Sequence, residues 1–185
     1  SGKQQQQQLV EAWGGSQASA LQQAQQQLLA DTQAAANDPA LLAALQSGDR
    51  SLIGTAERGL QHWQGVVDAH INLPARAALD VGRSGPMNFA ALDMLRRLEN
   101  GQQPAVEAYK VGERWLVYSA AALRAAGSDQ LQGTLLLVVD LERLLGALPA
   151  MPEAAGQIQL SQKFGNGTAQ ILLQRGGVAI LLKSY

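Results

Sequence analysis

The chain contains no cysteine and only two histidines. The first absence excludes disulfides, thiolate zinc sites and cysteine nucleophiles together, and it is compatible with an oxidising compartment. The second leaves metal chemistry short of ligands: Asp68 and His70 share one face of a strand-like segment and offer two donors, with no third nearby in sequence. Charge of either sign is not in excess, since 14 basic residues against 15 acidic ones leave a net charge of -1. No basic stripe follows from such a balance, so nucleic acid is not expected as a partner. No apolar run approaches the ~20 residues that span a bilayer. Neither a GxSxG elbow nor an aspartate-rich metal loop is present, and no cofactor or metal is expected.

What is there suits one domain, because 185 residues bury a sizeable core without covalent staples. Ser1 and Gly2 read as a tag-cleavage scar, and the chain is expected to be a piece of a longer protein. Its first third is rich in glutamine, with alanine and leucine as filler, so a long helix is expected over residues 1–36, with a weak point at Gly14 and Gly15. Leu9, Trp13, Ala20, Leu21, Ala24, Leu28 and Ala35 form a narrow apolar stripe along it. That stripe packs on its own domain or forms a two-helix seam between protomers, since flanking glutamine neither attracts nor repels a twin.

Short helices are expected over 37–64. Asp38 and Pro39 open the first, Leu41, Leu42 and Leu45 face inward, and Gly48 ends it. The next carries Leu52, Ile53, Ala56, Leu60 and Trp63. From Val66 the period changes to two: Val67, Ala69, Ile71 and Leu73 alternate with Asp68, His70 and Asn72, as in a half-buried strand with a wet polar face. A polar segment from Pro74 to Pro86, containing Arg76, Asp80 and Arg83, is long enough to fold over the sheet as a lid. Asn88 caps a helix in which Phe89, Leu92, Leu95 and Leu98 point inward while Arg96, Arg97 and Glu99 stay in water. VEAYKV and ERWLVYSAAALR then form a hairpin, followed by GTLLLVVD as a strand buried on both faces. Residues 149–185 alternate like further strands, with a type I′ turn at Gly165 to Gly167; they either complete the same sheet or form a separate hairpin.

This order of elements, with Gly133 to Leu141 reading as a glycine, an apolar strand, an acidic residue and a helix start that runs on through Leu144, resembles the Cache superfamily of PAS-related extracytoplasmic sensor domains. The resemblance covers Gln4 to Leu148 and implies an α+β fold, in which a long N-terminal helix and short helices pack on a mostly antiparallel sheet, with its core over 65–148. It also implies flanking transmembrane segments in the parent protein. PMNFAALDMLRRLENGQ and VVDAHINLPARAALD are, more narrowly, similar to the periplasmic N-terminal region of long, membrane-anchored bacterial phosphomannomutase/phosphoglucomutase proteins. That likeness implies a periplasmic domain of an inner-membrane protein, with the catalytic machinery elsewhere.

In the resembling superfamily small molecules bind between sheet and lid. The polar residues able to point there are His70, Arg76, Asp80, Arg114, Tyr118 and Asp140, where arginine would hold a carboxylate and aspartate an amine. The adjacency of Arg114 and Trp115 departs from the amino-acid-binding version of the pattern. Each residue also has a plainer role: Trp115 and Tyr118 as sheet aromatics, Asp140 as a cap on a helix starting at Leu141. Ser119, His70 and Asp140 supply the residue types of a hydrolytic triad without the sequence context of one. The functional expectation is a non-catalytic sensory or regulatory domain that takes a small molecule and pairs with a twin through its first helix. The alternative is a dimerisation module without a ligand.

Overall fold

The computed structural model describes residues 2–63, 65–141, 143, 158–165, 168–175 and 178–183, with side chains described for 19–63, 65–141 and 143. The fold is α+β. Helix α1 (Gly2–Ala36) runs unbroken through Gly14 and Gly15, and α2 (Pro39–Ser47) and α3 (Arg50–Leu60) follow. Strand β1 (Val66–Asn72), the lid, helix α4 (Phe89–Glu99) and strands β2 (Glu107–Val111), β3 (Arg114–Leu123) and β4 (Gly133–Asp140) complete the core. Its sheet is wholly antiparallel in the order β1-β4-β3-β2. Strands β5 (Ile158–Gly165), β6 (Thr168–Arg175) and β7 (Val178–Lys183) form a second antiparallel sheet of their own rather than extending the first. Gly165 pairs with Thr168, as the expected hairpin requires, while the turn residues 166 and 167 lie outside the described residues. Among the described residues no helix is long and apolar enough to cross a membrane.

Local chemistry sets the boundaries. Asp38 accepts the Ala40 amide and Pro39 takes the first helical position, while Gly48 ends α2 at φ 68°. Asp49 caps α3 and Asn88 caps α4 in the same way. At the β2–β3 hairpin Val111 pairs with Arg114, and of the two linking residues only Gly112 has positive φ, the pattern of a II′ turn. Strand β4 is buried on both faces from Gly133 to Val139 because the sheet lies between two layers.

On one face α1 to α3 cover Ala69, Ile71, Val117, Ala121, Leu135, Leu137 and Val139. Leu21, Gln25, Leu28, Thr32 and Ala35 of α1 are all buried, at spacings of four and three, so the stripe is used on its own sheet over this length. Leu9 and Trp13 lie outside the described side chains. Ser119 and Ala121 of β3 are small, and Thr32 reaches Ser119 at 2.7 Å. On the other face α4 and the lid cover Leu116, Tyr118, Ala120, Leu136 and Val138.

Several expectations need correction. Phe89 is 77 % exposed at the start of α4, where Ala91 and Met94 take the inward positions instead. Leu52 is 51 % exposed, and α3 ends at Leu60, which leaves Trp63 outside it and partly in solvent. Arg97 does not stay in water: it pairs with the buried Glu107 of β2 at 2.8 Å and with Asp93 at 3.1 Å.

The Thr32–Ser119 hydrogen bond fixes the register of α1 on the sheet. Thr32→Val should cost about 1–3 kcal/mol by stranding the Ser119 hydroxyl, and adding Ser119→Ala should recover part of that loss. Urea unfolding of the two single variants and the double variant measures the coupling; strictly additive losses would show that the bond contributes nothing.

Candidate functional site

Among the described residues strand β1 is an edge strand, paired on one side only, by β4. A sheet edge exposes backbone groups in need of partners. Here side chains supply them. The Ala69 amide donates to Asp68 Oδ1 at 2.9 Å, the Ile71 amide donates to Glu57 Oε2 at 2.9 Å, and the Ala69 carbonyl accepts from Arg83 Nη2 at 2.7 Å. Glu57 comes from α3 and Arg83 from the lid, so both neighbours of the strand are tied to its open edge.

The same lid segment, 83–87, lies across the face of the sheet as a strap. Arg83 grips Asp68 through two nitrogens, Nη2 to Oδ1 at 2.6 Å and Nε to Oδ2 at 3.2 Å, the paired geometry that a guanidinium offers a carboxylate. Glu57 Oε1 flanks Arg83 Nη1 at 3.5 Å. The Gly85 amide donates to Asp68 Oδ2 at 3.0 Å, the Gly85 carbonyl accepts from His70 Nε2 at 2.6 Å, and the Pro86 carbonyl accepts from the Tyr118 hydroxyl at 2.8 Å. Gly85 is required by space: a Cβ there would sit 2.7 Å from the Cβ atoms of Asp68 and Val138. The rest of the lid is anchored by a two-bond bridge between Asp80 and Met87 and by the Ala75 amide on Glu99 at 3.1 Å, with Ala75 held at φ 60°.

Burial sets the ionisation of this cluster. His70 is 4 % exposed, and desolvation pushes its imidazole below the ordinary value of 6.5; the nearby Arg83 charge acts the same way, against the Gly85 carbonyl, Asp68 and Glu57. The ring is therefore neutral at pH 7, and its bond to the Gly85 carbonyl places the proton on Nε2. Desolvation opposes the charge on Arg83, but the hydrogen bonds of Asp68 and the charge of Glu57 outweigh it and hold the guanidinium above its usual value. Tyr118 is pushed up to about 12 by burial, with Asp68 adding to the effect, and stays a donor. Its ring meets Tyr109 edge-on at 5.6 Å. Tyr109 in turn donates to Glu107, the partner of Arg97, and burial raises its pKa as well.

The six residues nominated from sequence are not brought together. His70 and Tyr118 lie under the strap, bonded to its backbone. Arg76 and Asp80 are exposed on the lid. Arg114 and Asp140 pair with each other at 2.9 Å, at the ends of β3 and β4. The Asp140 amide closes the sheet end on the Gly65 carbonyl, while the helix expected beyond Leu141 falls mostly outside the described residues. Asp68 and His70 form no wet face; they are 3 % and 4 % exposed because the strap covers them. Ser119 is bonded to Thr32 on the helix side of the sheet, opposite His70, so the triad drawn from sequence is not assembled. Among the described residues no three acidic or histidine side chains converge on a metal position. Sequence reasoning missed Glu57 and Gly85 altogether, and treated Asp68 and Arg83 separately; the available signal was a polar i, i+2 pair on a strand followed by a Gly-Pro step in the lid.

Among the described residues, two concavities lie away from this cluster. A cleft of about 600 Å³ lies between α2 and the β3–β4 loop, lined by Leu42, Gln46, Arg124 and Ala126, and a smaller one of about 130 Å³ lies between Ala75 of the lid and α4.

No family model matches the chain, and no curated protein matches it. Among solved structures, the ligand-binding domain of the Campylobacter jejuni chemoreceptor Tlp3, in complex with 4-methylisoleucine, is similar at a TM-score of 0.45 and 13% identity, over 95% of this chain and 92% of that one.

Gly85→Ala should destabilise the domain by about 1–3 kcal/mol through overpacking, read as a lower urea midpoint. An unchanged midpoint would mean the strap is not seated. The lowered pKa of His70 carries a sign: below about pH 6.5 the unfolded chain binds a proton that the folded one resists, so stability falls as pH falls from 7.5 towards 5.5. The slope from this group is at most about 1.4 kcal/mol per pH unit, and His70→Gln should flatten it.

Proposed function

We propose that this chain is a non-catalytic sensory or regulatory domain that receives a small molecule between the lid and the inner face of the sheet. The observation that carries the reading is the convergence of Asp68, His70 and Tyr118, all buried, beneath a lid segment that meets them through the Gly85 and Pro86 backbone and the Arg83 guanidinium. Buried polar groups of three chemical types on one sheet face suit recognition, and neutral His70 and protonated Tyr118 both present donors to an acceptor lying above them. His70 and Tyr118 are the residues proposed for contact. Arg76 and Asp80 would line the approach over the lid, and Arg114 with Asp140 the far end of the same face.

The sequence resemblance to Cache sensor domains supports an extracytoplasmic location, in the periplasm, with flanking transmembrane segments in the parent protein. The likeness of Pro86 to Gln102 and of Val66 to Asp80 to the N-terminal region of membrane-anchored phosphomannomutase/phosphoglucomutase proteins supports a phosphohexomutase as that parent. Pairing of two copies is proposed through the N-terminal part of α1, since the stripe from Leu21 to Ala35 is spent on the domain's own sheet.

A second reading is favoured by one observation: the strap fills the face it covers. A closed lid suits a structural module that holds a membrane protein in position by dimerisation, with no ligand. A thermal-shift screen of small periplasmic metabolites separates the two. A ligand at 100 times its Kd should stabilise the domain by about 2.7 kcal/mol, saturably, with loss of the effect in His70→Ala. Silence across a broad screen, together with a dimer by light scattering, would support the structural reading instead.

A further inference from the structure

We propose that the strap of residues 83–87 is a built-in occupant of the sheet's inner face, and that Arg83 is its latch. The inference deepens the ligand-binding reading above and rests on it for its biological purpose, but its physical content concerns the free protein. Asp68 and His70 are buried polar groups, and with Tyr118 they are satisfied by the chain itself: one amide and two carbonyls of Gly85 and Pro86, plus one guanidinium. The strap's own side chains contribute little of this grip apart from Arg83. Ser84 is exposed, Gly85 has no side chain, and only Pro86 and Met87 bury apolar surface.

The latch is asymmetric. Arg83 is 30 % exposed, whereas the Asp68 carboxylate that it grips is 4 % exposed. Water reaches the guanidinium from outside while its partner stays dry, so the strap opens from the Arg83 side. Once Arg83 leaves, Asp68 and Glu57 face each other across the vacated position with no cation between them, and burial of Asp68 becomes unfavourable until a donor returns. Anything that takes the strap's place must therefore bring the same chemistry: a planar cation with paired N–H donors for Asp68 and Glu57, and a carbonyl or carboxylate oxygen for His70 and Tyr118. A guanidinium or amidinium compound with an adjacent acyl group meets that description.

Hydrogen exchange on the full chain tests the latch without any ligand. The Gly85 amide, donated to Asp68, and the Met87 amide, donated to Asp80, report the strap, while β3–β4 ladder amides report global stability. In Arg83→Ala, Gly85 exchange should accelerate about tenfold or more while the β3–β4 amides change little. Low-millimolar guanidinium chloride should restore the protection, and ammonium chloride at the same ionic strength should not. Glu57→Gln, which keeps the lid sequence intact, should give a smaller acceleration at the same amides, and it decides the matter if Arg83→Ala does not fold. Gly85 exchange that is unchanged, or that rises only in step with the β3–β4 amides, or that ammonium slows as well as guanidinium does, would overturn the latch. A silent metabolite screen would leave these measurements untouched, so the two readings fail separately.

Discussion

The Asp68 carboxylate is the point on which both neighbours of the sheet converge. Its two oxygens accept from the Ala69 amide, the Gly85 amide and two nitrogens of Arg83, and through Arg83 they connect to Glu57 on α3. Taking a carboxylate to 3 % exposure is costly unless its lone pairs are filled, and breaking such a set by removing one partner costs on the order of 3–5 kcal/mol. Asp68 thus takes one of the three contacts that seal the edge of β1, seats the strap and, through Arg83, links α3 to the strand. Remove it, and three elements lose their common reference.

The sheet's two faces are built on different principles. The helix face is a largely apolar interface of leucine, isoleucine, valine and alanine in which Gln25, Thr32 and Ser119 are also buried, and the Thr32–Ser119 pair sets register without adding charge. The strap face mixes an apolar cluster under α4 with a chain of ionisable groups running from Glu57 through Asp68 and His70 to Tyr118, Tyr109, Glu107 and Arg97. Specificity needs polar groups and stability needs apolar ones, and this fold assigns the two tasks mainly to opposite sides of one layer.

Much of the fold was legible in the sequence because its signals are local. The Asp38-Pro39 start, the Asn88 cap, the hairpin around Gly112 and the uninterrupted apolar run of β4 depend on neighbours within a few residues, and all appear where those neighbours place them. The mostly antiparallel α+β arrangement was what the resemblance of their order to Cache domains implied, and the fold is α+β with an antiparallel sheet. The candidate site was much less legible. Alternation in VVDAHIN correctly separates Ala69 and Ile71 from Asp68 and His70, but period two says only that the two sets face opposite ways, not that a distant loop covers the polar set. Arg97 failed similarly: its helical position marks it as outward, and only Glu107, ten residues further on, makes that position half-buried. Phe89 failed in the other direction, because an apolar residue at the first turn of a helix can overhang the core it was expected to fill.

The sealing of β1 has a consequence for the order in which the chain organises itself. The contacts that hide its edge join residues 14 and 15 apart, Ile71 to Glu57 and Asp68 to Arg83, whereas the α1–β3 contact that completes the opposite face spans 87. Loop-closure entropy grows with span, and short loops close on a timescale of about 10–100 ns. Covering the edge of β1 therefore needs only its near neighbours in sequence and does not depend on the long helix finding its groove.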